Sequence, residues 1–406
     1  MKFNLLAFAV PFFVLFMTIE FLVARKKKLP YFNLHHSVAN VSIGIAERLL
    51  DVWVTGAFFF FYDYLQTNFG LFEIKAGILT WILLLLCTDF CWYWYHRLAH
   101  EVNVFWAAHV VHHQSEDFNY TVSARITVFQ AFIRTGFWAI LPLLGFPALM
   151  ITSLLLVHGL YPFFIHTRLI GQLGILEYIL VTPSHHRVHH ASNEQYLDKN
   201  YGDLFIIWDK LFGTFQKEED NVEIKYGLTK PLNSYSFLWQ HIHFFAELWY
   251  AVRRTSGFLN KLKLVFGKPD LVDPAAREAV EKKFNIFHLP LAVEQRLNRY
   301  VIWQIVLSMA LLFVFILFEH YLPLTQQALI SLGLILTLIN CGAIMEQKRW
   351  VFYLEFFRLL TVAIGLVIAY PAGWLSVLLL LVTLLLIRYF ETIRDHYLFW
   401  VYQRRQ

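Results

Sequence analysis

The stretch Asp89-Phe90-Cys91-Trp92-Tyr93-Trp94-Tyr95-His96-Arg97-Leu98-Ala99-His100-Glu101 decides how the rest of the chain is read. It closes an apolar run that begins near Ala76 and ends in two histidines four residues apart. A helix of about 20 apolar residues crosses a bilayer. The run therefore predicts a span over Ala76–Tyr95. Residues four apart share a helix face, so the turns that follow carry His96 and His100 out of the membrane on one side.

Two clusters downstream repeat the theme. His109-Val110-Val111-His112-His113 and His186-Arg187-Val188-His189-His190 each set three imidazoles at i, i+3 and i+4. His185 stands just before the second of them. Of the 18 histidines, eleven fall between His96 and His190. Ionisable side chains at membrane depth are costly and usually functional. Neutral imidazole is the commonest protein metal ligand and suits iron, copper and zinc. One zinc ion takes about four ligands, so eight imidazoles are too many for one ion and match two. The zinc-protease pattern His-Glu-x-x-His is absent, since Val104 stands where its second histidine would be. No Met or Cys lies within the clusters, which argues against copper.

Composition supplies the solvent. The 406 residues are 58% hydrophobic and only 16% charged, against about 25% charged in ordinary soluble domains. A soluble globular enzyme and a disordered chain are both excluded. A net charge of +5 suits an anionic lipid surface and gives no basic face for nucleic acid. Cys87, Cys91 and Cys341 sit in apolar runs, so neither a disulfide framework nor a thiolate metal site is expected.

The expected fold is an all-α integral membrane protein with about eight transmembrane helices and a cytoplasmic helical cap carrying the histidine clusters. Spans are predicted over Phe3–Ala24, Val38–Tyr62, Ala76–Tyr95, a hairpin within Phe129–Ile165, Tyr300–Phe318, Leu324–Ile344, Val351–Tyr370 and Trp374–Ile387. Residues 1–75 are taken as N-terminal membrane helices and 76–270 as the histidine region. A cytoplasmic linker over 271–297 and a four-helix membrane region over 298–406 follow. Arg25-Lys26-Lys27-Lys28 follows the first run, and the predicted outer loops hold a single basic residue, Lys75. The positive-inside rule then puts the clusters on the cytoplasmic face, of a bacterial inner membrane or the endoplasmic reticulum.

The pattern His-x3-His, His-x2-His-His, His-x2-His-His resembles that of the fatty acid hydroxylase and sterol desaturase superfamily, whose members are integral-membrane di-iron oxygenases. The text between the clusters is similar to its alkylglycerol monooxygenase branch. This covers the first-cluster stretch quoted above, His112-His113-Gln114-Ser115-Glu116-Asp117-Phe118-Asn119, Ile165-His166-Thr167 and Thr182-Pro183-Ser184-His185-His186. It also covers Asp198-Lys199-Asn200-Tyr201-Gly202 and Trp208-Asp209-Lys210-Leu211-Phe212-Gly213. The resemblance implies that His96, His100, His109, His112, His113, His186, His189 and His190 hold two ferrous ions, with His166 as a ninth ligand. It implies activity roles for Glu101 and Tyr201, and weaker roles for Lys199 and Asn200 toward cofactor or lipid headgroup. His158 and His185 are left open as ligands, and Asp89, Glu101, Glu116 and Asp117 as groups that orient ligands.

The implied reaction is hydroxylation of a lipid C–H bond with O2, foremost ether cleavage of alkylglycerols. Tetrahydrobiopterin is the implied reductant and a long-chain membrane lipid the implied substrate. A sterol, carotenoid or fatty acyl hydroxylase or desaturase fed by a redox partner is the alternative. A metal transporter or sensor would need polar residues along its spans, and the last four runs are almost uncharged.

Overall fold

The computed structural model describes residues 3–286, 295–348 and 350–402. Residues 287–294 of the anticipated linker lie outside it. Among the described residues the only β-type pairings are two isolated bridges, Leu180 with Phe205 and Ala191 with Tyr226. The chain begins with α1 (Ala9–Lys26), α2 (Leu34–Phe69), α3 (Ile78–Glu101) and α4 (Asn103–His113). It continues through α5 (Val128–Trp138), α6 (Ile140–Leu144), α7 (Ala148–His158), α8 (Tyr161–Ile165), α9 (Pro183–His189) and α10 (Ile207–Phe212). Then come α11 (Phe237–Arg254), α12 (Phe258–Phe266) and α13 (Ala275–Lys283). The C-terminal part holds α14 (Gln295–Phe318), α15 (Leu324–Met345), α16 (Val351–Ala369), α17 (Gly373–Arg388) and α18 (Phe390–Tyr402).

Six described helical segments are long and apolar enough to cross a membrane: Leu5–Lys26, Ile78–Glu101, Ala148–Ile165, Leu297–Tyr321, Leu324–Met345 and Val351–Ile368. The pair Gly373–Arg388 and Phe390–Phe399 is apolar enough when taken together, but is bent by 75° at the break between its helices, as in a broken span or a re-entrant loop. Two anticipated spans differ. Helix α2 has 36 residues, which is about 54 Å long at 1.5 Å per residue, well beyond a bilayer core. It carries Glu47, Arg48 and Asp51, joined by Arg48–Glu47 at 2.6 Å and Arg48–Asp51 at 3.0 Å. The first arm of the anticipated hairpin is only the short segment Val128–Leu144, and the second arm, Ala148–Ile165, is the span.

The chain divides into two compact units. One comprises residues 1–15, 234–239 and 288–406. Within it α14 and α15 pack side by side, as do α15 and α16. Glu346, just past α15, accepts the backbone N–H groups of Tyr235 and Ser236, both at 2.9 Å. The other comprises residues 16–233 and 240–287 and contains every histidine cluster.

Two apolar cores organise this second unit. Tyr62, Leu84, Trp138, Leu141, Phe146 and Ile151 join α2, α3 and the α5–α7 segment. Ile43, Ala107, Val110, Val111, Phe244, Leu248, Leu264 and Ala276 join α2, α4, α11, α12 and α13. Helix α4 thus gives Val110 and Val111 to the core and its histidines to another face.

The α6–α7 turn depends on Gly145, whose φ of 104° ends α6. A Cβ there would stand 1.8 Å from the carbonyl oxygen of Phe72. Gly145→Ala is expected to cost about 1–3 kcal/mol through left-handed strain, with more from the clash. Thermal unfolding in detergent measures it, and an unchanged midpoint would contradict this account of the turn.

Candidate metal centre

Helix α3 crosses the apolar layer and continues to Glu101, so its last two turns present His96 and His100. Helix α4 starts two residues later and presents His109, His112 and His113. Helix α9 opens with Pro183 in its first turn, where a missing N–H costs nothing. It presents His186, His189 and His190. His166 follows α8 directly.

The fold sorts these nine rings into two sets. Ring nitrogens of His96, His100, His109, His113 and His189 all lie within 4.8 Å of one another. Those of His112, His166, His186 and His190 do the same. Apart from half-buried His100, all nine residues are buried. The Nε2 atoms approach closely: His96 to His109 at 3.1 Å, His113 to His109 at 3.2 Å, His166 to His112 at 3.2 Å and His186 to His166 at 2.9 Å. Two nitrogens at right angles around one ion, each bonded at about 2.1 Å, would lie about 3.0 Å apart. The Nε2 atoms of His100, His189 and His190 are buried with no hydrogen-bond partner. Donor type, spacing and orphaned nitrogens all fit a transition metal in each set.

In six of the rings the opposite nitrogen faces a partner, while His186 Nδ1 is buried without one. His96 Nδ1 lies 2.8 Å from the Tyr201 carbonyl and His189 Nδ1 lies 2.9 Å from the Lys199 carbonyl. His166 Nδ1 is 2.6 Å from the Pro162 carbonyl, and His112 Nδ1 is 3.3 Å from the Arg125 carbonyl. His109 Nδ1 is 3.3 Å from Gln130 Oε1. His100 Nδ1 lies 3.6 Å from the carboxylate of Asp198, which that ring holds below its ordinary range. Partners of this kind fix the tautomer and leave Nε2 free for a metal.

Burial sets the protonation state. It pushes His109, His112, His113, His186, His189 and His190 well below the ordinary value, and neighbouring rings push the same way. His166 is lowered to about 4. These rings are therefore neutral, which is the ligating form.

Three supports were not legible in the sequence. The loop after α9 turns through two left-handed residues, Asp198 at φ 57° and Asn200 at φ 56°, a region where Asp and Asn are enriched. This geometry aims the Lys199 and Tyr201 carbonyls at His189 and His96. Asp209 secures the same loop, accepting Tyr201 N–H at 2.7 Å and Gly202 N–H at 2.8 Å. Arg125 is buried and donates to Val111 O, Asn40 Oδ1, Gln114 Oε1 and Gln240 Oε1 at 2.7–2.9 Å. All these acceptors are neutral, and burial lowers its guanidinium to about 9. It ties the last turn of α4 to α2 and α11.

The remaining sequence candidates lie elsewhere. Glu101 pairs with Arg97 at 3.0 Å on a half-buried edge of α3. The ring of Tyr201 lies 5.3 Å from His100 and 5.9 Å from His96, and burial pushes its phenol up. The Asn200 side chain is consumed by backbone groups of His185 and Gln216, so it is not presented to a headgroup or cofactor. Asp117 accepts Asn33 N–H. His185 Nδ1 accepts Thr182 N–H at the start of α9, away from both sets. His158 lies between Asp89 at 2.9 Å and Asp203 at 3.0 Å. Asp89 reaches no histidine of either set: it accepts from His158, the N–H groups of Leu204 and Phe205, and Trp208 Nε1.

A chain with several apolar helices long enough to cross a membrane and nine imidazoles gathered into two sets fits the class of metal-dependent membrane enzymes. The comparisons agree. Residues 81–214 match the fatty acid hydroxylase family. Human alkylglycerol monooxygenase is 35% identical over 87% of this chain and 80% of its own. The zebrafish protein is 33% identical over 86% and 79%, and that of Xenopus tropicalis 38% identical over 64% and 58%. No solved structure matches the chain. The chain belongs to the fatty acid hydroxylase family. It is a multi-pass membrane protein and an oxygen-dependent monooxygenase of lipid.

A pH dependence follows. The unfolded chain titrates its histidines near 6.5, whereas the folded rings stay neutral far below that. Unfolding in acid therefore takes up protons, so stability is intact above about pH 6.5 and lost as pH falls below it. Melting temperatures of metal-free protein in detergent should drop steeply over that range. A flat profile would contradict the buried neutral state.

Proposed function

We propose that the chain hydroxylates the carbon beside the ether oxygen of long-chain alkylglycerol lipids, using two iron ions, O2 and tetrahydrobiopterin. The single observation that carries this reading is the pair of all-imidazole sets, five rings and four, on a chain 35% identical to an alkylglycerol monooxygenase. Imidazole donors with no thiolate suit iron. His96, His100, His109, His113 and His189 would hold one ion, and His112, His166, His186 and His190 the other. When bound, the iron pair supplies O2 activation, with electrons delivered from the pterin.

The chain's own residues do the rest. The Lys199 and Tyr201 carbonyls orient His189 and His96. Tyr201, with its phenol kept protonated by burial, lines the first set and presents a ring beside the reacting region. Glu101 lies on the same helix end, where it holds the Arg97 guanidinium. The membrane helices shelter the alkyl tail while the cap receives the headgroup at the cytoplasmic face. One oxygen atom of O2 enters the C–H bond and the other leaves as water, with two electrons from the reductant and two protons. The product hemiacetal breaks its C–O bond to give a fatty aldehyde and a free glycerol hydroxyl.

Protein supplied with iron, alkylglycerol, tetrahydropterin and 18O2 should release a fatty aldehyde, with pterin consumed in step. Turnover with reduced ferredoxin and no pterin would sink the reading in favour of a redox-protein-fed hydroxylase.

His112 and His189 fall in different sets. His112→Ala and His189→Ala should each lower bound iron from about two per chain towards one, and turnover by about 100-fold or more. Normal iron content in either variant contradicts the assignment. Tyr201→Phe and Glu101→Gln should retain iron while turnover falls by about 100-fold, the lower end of general acid–base effects. Iron loss instead would make them structural.

A further inference from the structure

Helix α12 sits where α3 leaves the apolar layer. Asn103, two residues past the end of α3, is fully buried and tied to it three times. Its N–H donates to Gly267 O at 2.8 Å, and its Nδ2 to Leu264 O at 2.8 Å and Lys268 O at 2.9 Å. Gly257, at φ 82°, breaks the chain between α11 and α12. Leu264 is the buried anchor of α12.

The outer face of α12 is apolar and bare. Phe258 is 73% exposed, Leu259 78% and Phe266 60%. At about 100° per residue, Phe258, Leu262, Phe266 and Leu259 fall within about 100° of arc, with Lys263 about 40° past one edge and Lys261 about 60° past the other. From Arg253 to Lys268 the sequence has five cations and no Asp or Glu. A soluble surface rarely offers aromatic rings in this way. An apolar sector bordered by lysines is the signature of a helix lying in a lipid headgroup layer, its lysines reaching up to phosphates. Beside it a pocket of about 540 Å³ is lined by Arg254, Thr255, Asn260 and Lys263. Asp273 also lines it, and its carboxylate accepts Ala275 N–H at 2.8 Å.

We propose that α12 is an interfacial anchor for anionic phospholipid, with the apolar face immersed, Lys261 and Lys263 on headgroup phosphates, and the Arg254–Lys263 pocket seating one headgroup. It depends on α3 crossing the membrane and not on which lipid is oxidised. Through Asn103 the anchor fixes the start of α4, and so the height above the lipid of His109, His112 and His113.

The test places an environment-sensitive NBD probe at Leu259→Cys in the full chain, with Cys87, Cys91 and Cys341 changed to Ala. The protein is studied in nanodiscs of phosphatidylcholine alone or with added phosphatidylglycerol. The expected result is blue-shifted emission, quenched by lipids carrying a nitroxide near the headgroup and more strongly when phosphatidylglycerol is present. Each basic residue at an anionic surface shifts partitioning by about fivefold. Lys261→Glu with Lys263→Glu should therefore reduce the immersed fraction by at least about 25-fold in its equilibrium, the effect of losing two basic residues, and high salt should also reduce it. Lys261→Gln with Lys263→Gln is the milder check should charge reversal disturb folding.

A probe that stays water-exposed in both compositions overturns the proposal. So does quenching indifferent to charge and salt, or shielding that needs a second copy or a soluble protein. The readout involves no turnover, so it fails or stands separately from the oxidation chemistry.

Discussion

Seven closely packed rings, His109, His112, His113, His166, His186, His189 and His190, are held neutral by burial, and that constraint shapes everything around them. A protonated ring could not ligate, and like charges at ring-to-ring distances of 4–6 Å would force the helices apart. The structure meets the constraint by burial and by assigning every ring's outer nitrogen wherever a partner is in reach. Tyr201 O, Lys199 O, Pro162 O, Arg125 O and Gln130 Oε1 take up five Nδ1 atoms. Buried Nε2 atoms without partners are costly, and the cap holds three of them. Ligation of a metal ion by these nitrogens would remove that cost, which ties the energetics of the site to the function proposed for it.

Rigidity of the surrounding shell follows from the same need. The carbonyls that orient His96 and His189 come from one loop, and a loop is a poor support unless held. Two left-handed residues shape it, Asp209 fastens its N–H groups, and Asn200 ties it to both α9 and residue 216. Asp89 holds the next segment at Leu204, Phe205 and Trp208. His158 sits between Asp89 and Asp203 and joins α7 to that network. His158, left open as a ligand in the sequence, is part of the scaffold behind the loop.

The all-α class, most of the spans and the histidine clusters were legible because periodicity and apolar length are local properties. Charge made α2 harder: Glu47, Arg48 and Asp51 pair with one another, and a helix that looked like one membrane span is 36 residues long and is not among the segments apolar enough to cross. The carbonyl partners were invisible for a different reason. Backbone groups carry no sequence signal, and the Asp198–Asn200 motif advertised side chains where the fold uses φ angles and C=O groups. Arg125 gave no signal either, since all its partners are distant in sequence.

Helical geometry explains how three clusters become two sets. Residues four apart differ by about 40° around a helix, while the i+3 residue lies about 60° to the other side. His96 with His100, and His109 with His113, are i, i+4 pairs in the first set; His186 with His190 is the pair in the second. The i+3 residues cross over: His112 leaves its own pair for the second set, and His189 leaves its pair for the first. Each three-histidine cluster is therefore a bracket between the two sets. Helices α4 and α9 cannot move relative to one another without straining both, so the separation of the two sets is built into the helix repeat. His166, outside any cluster, completes the set that has one pair instead of two.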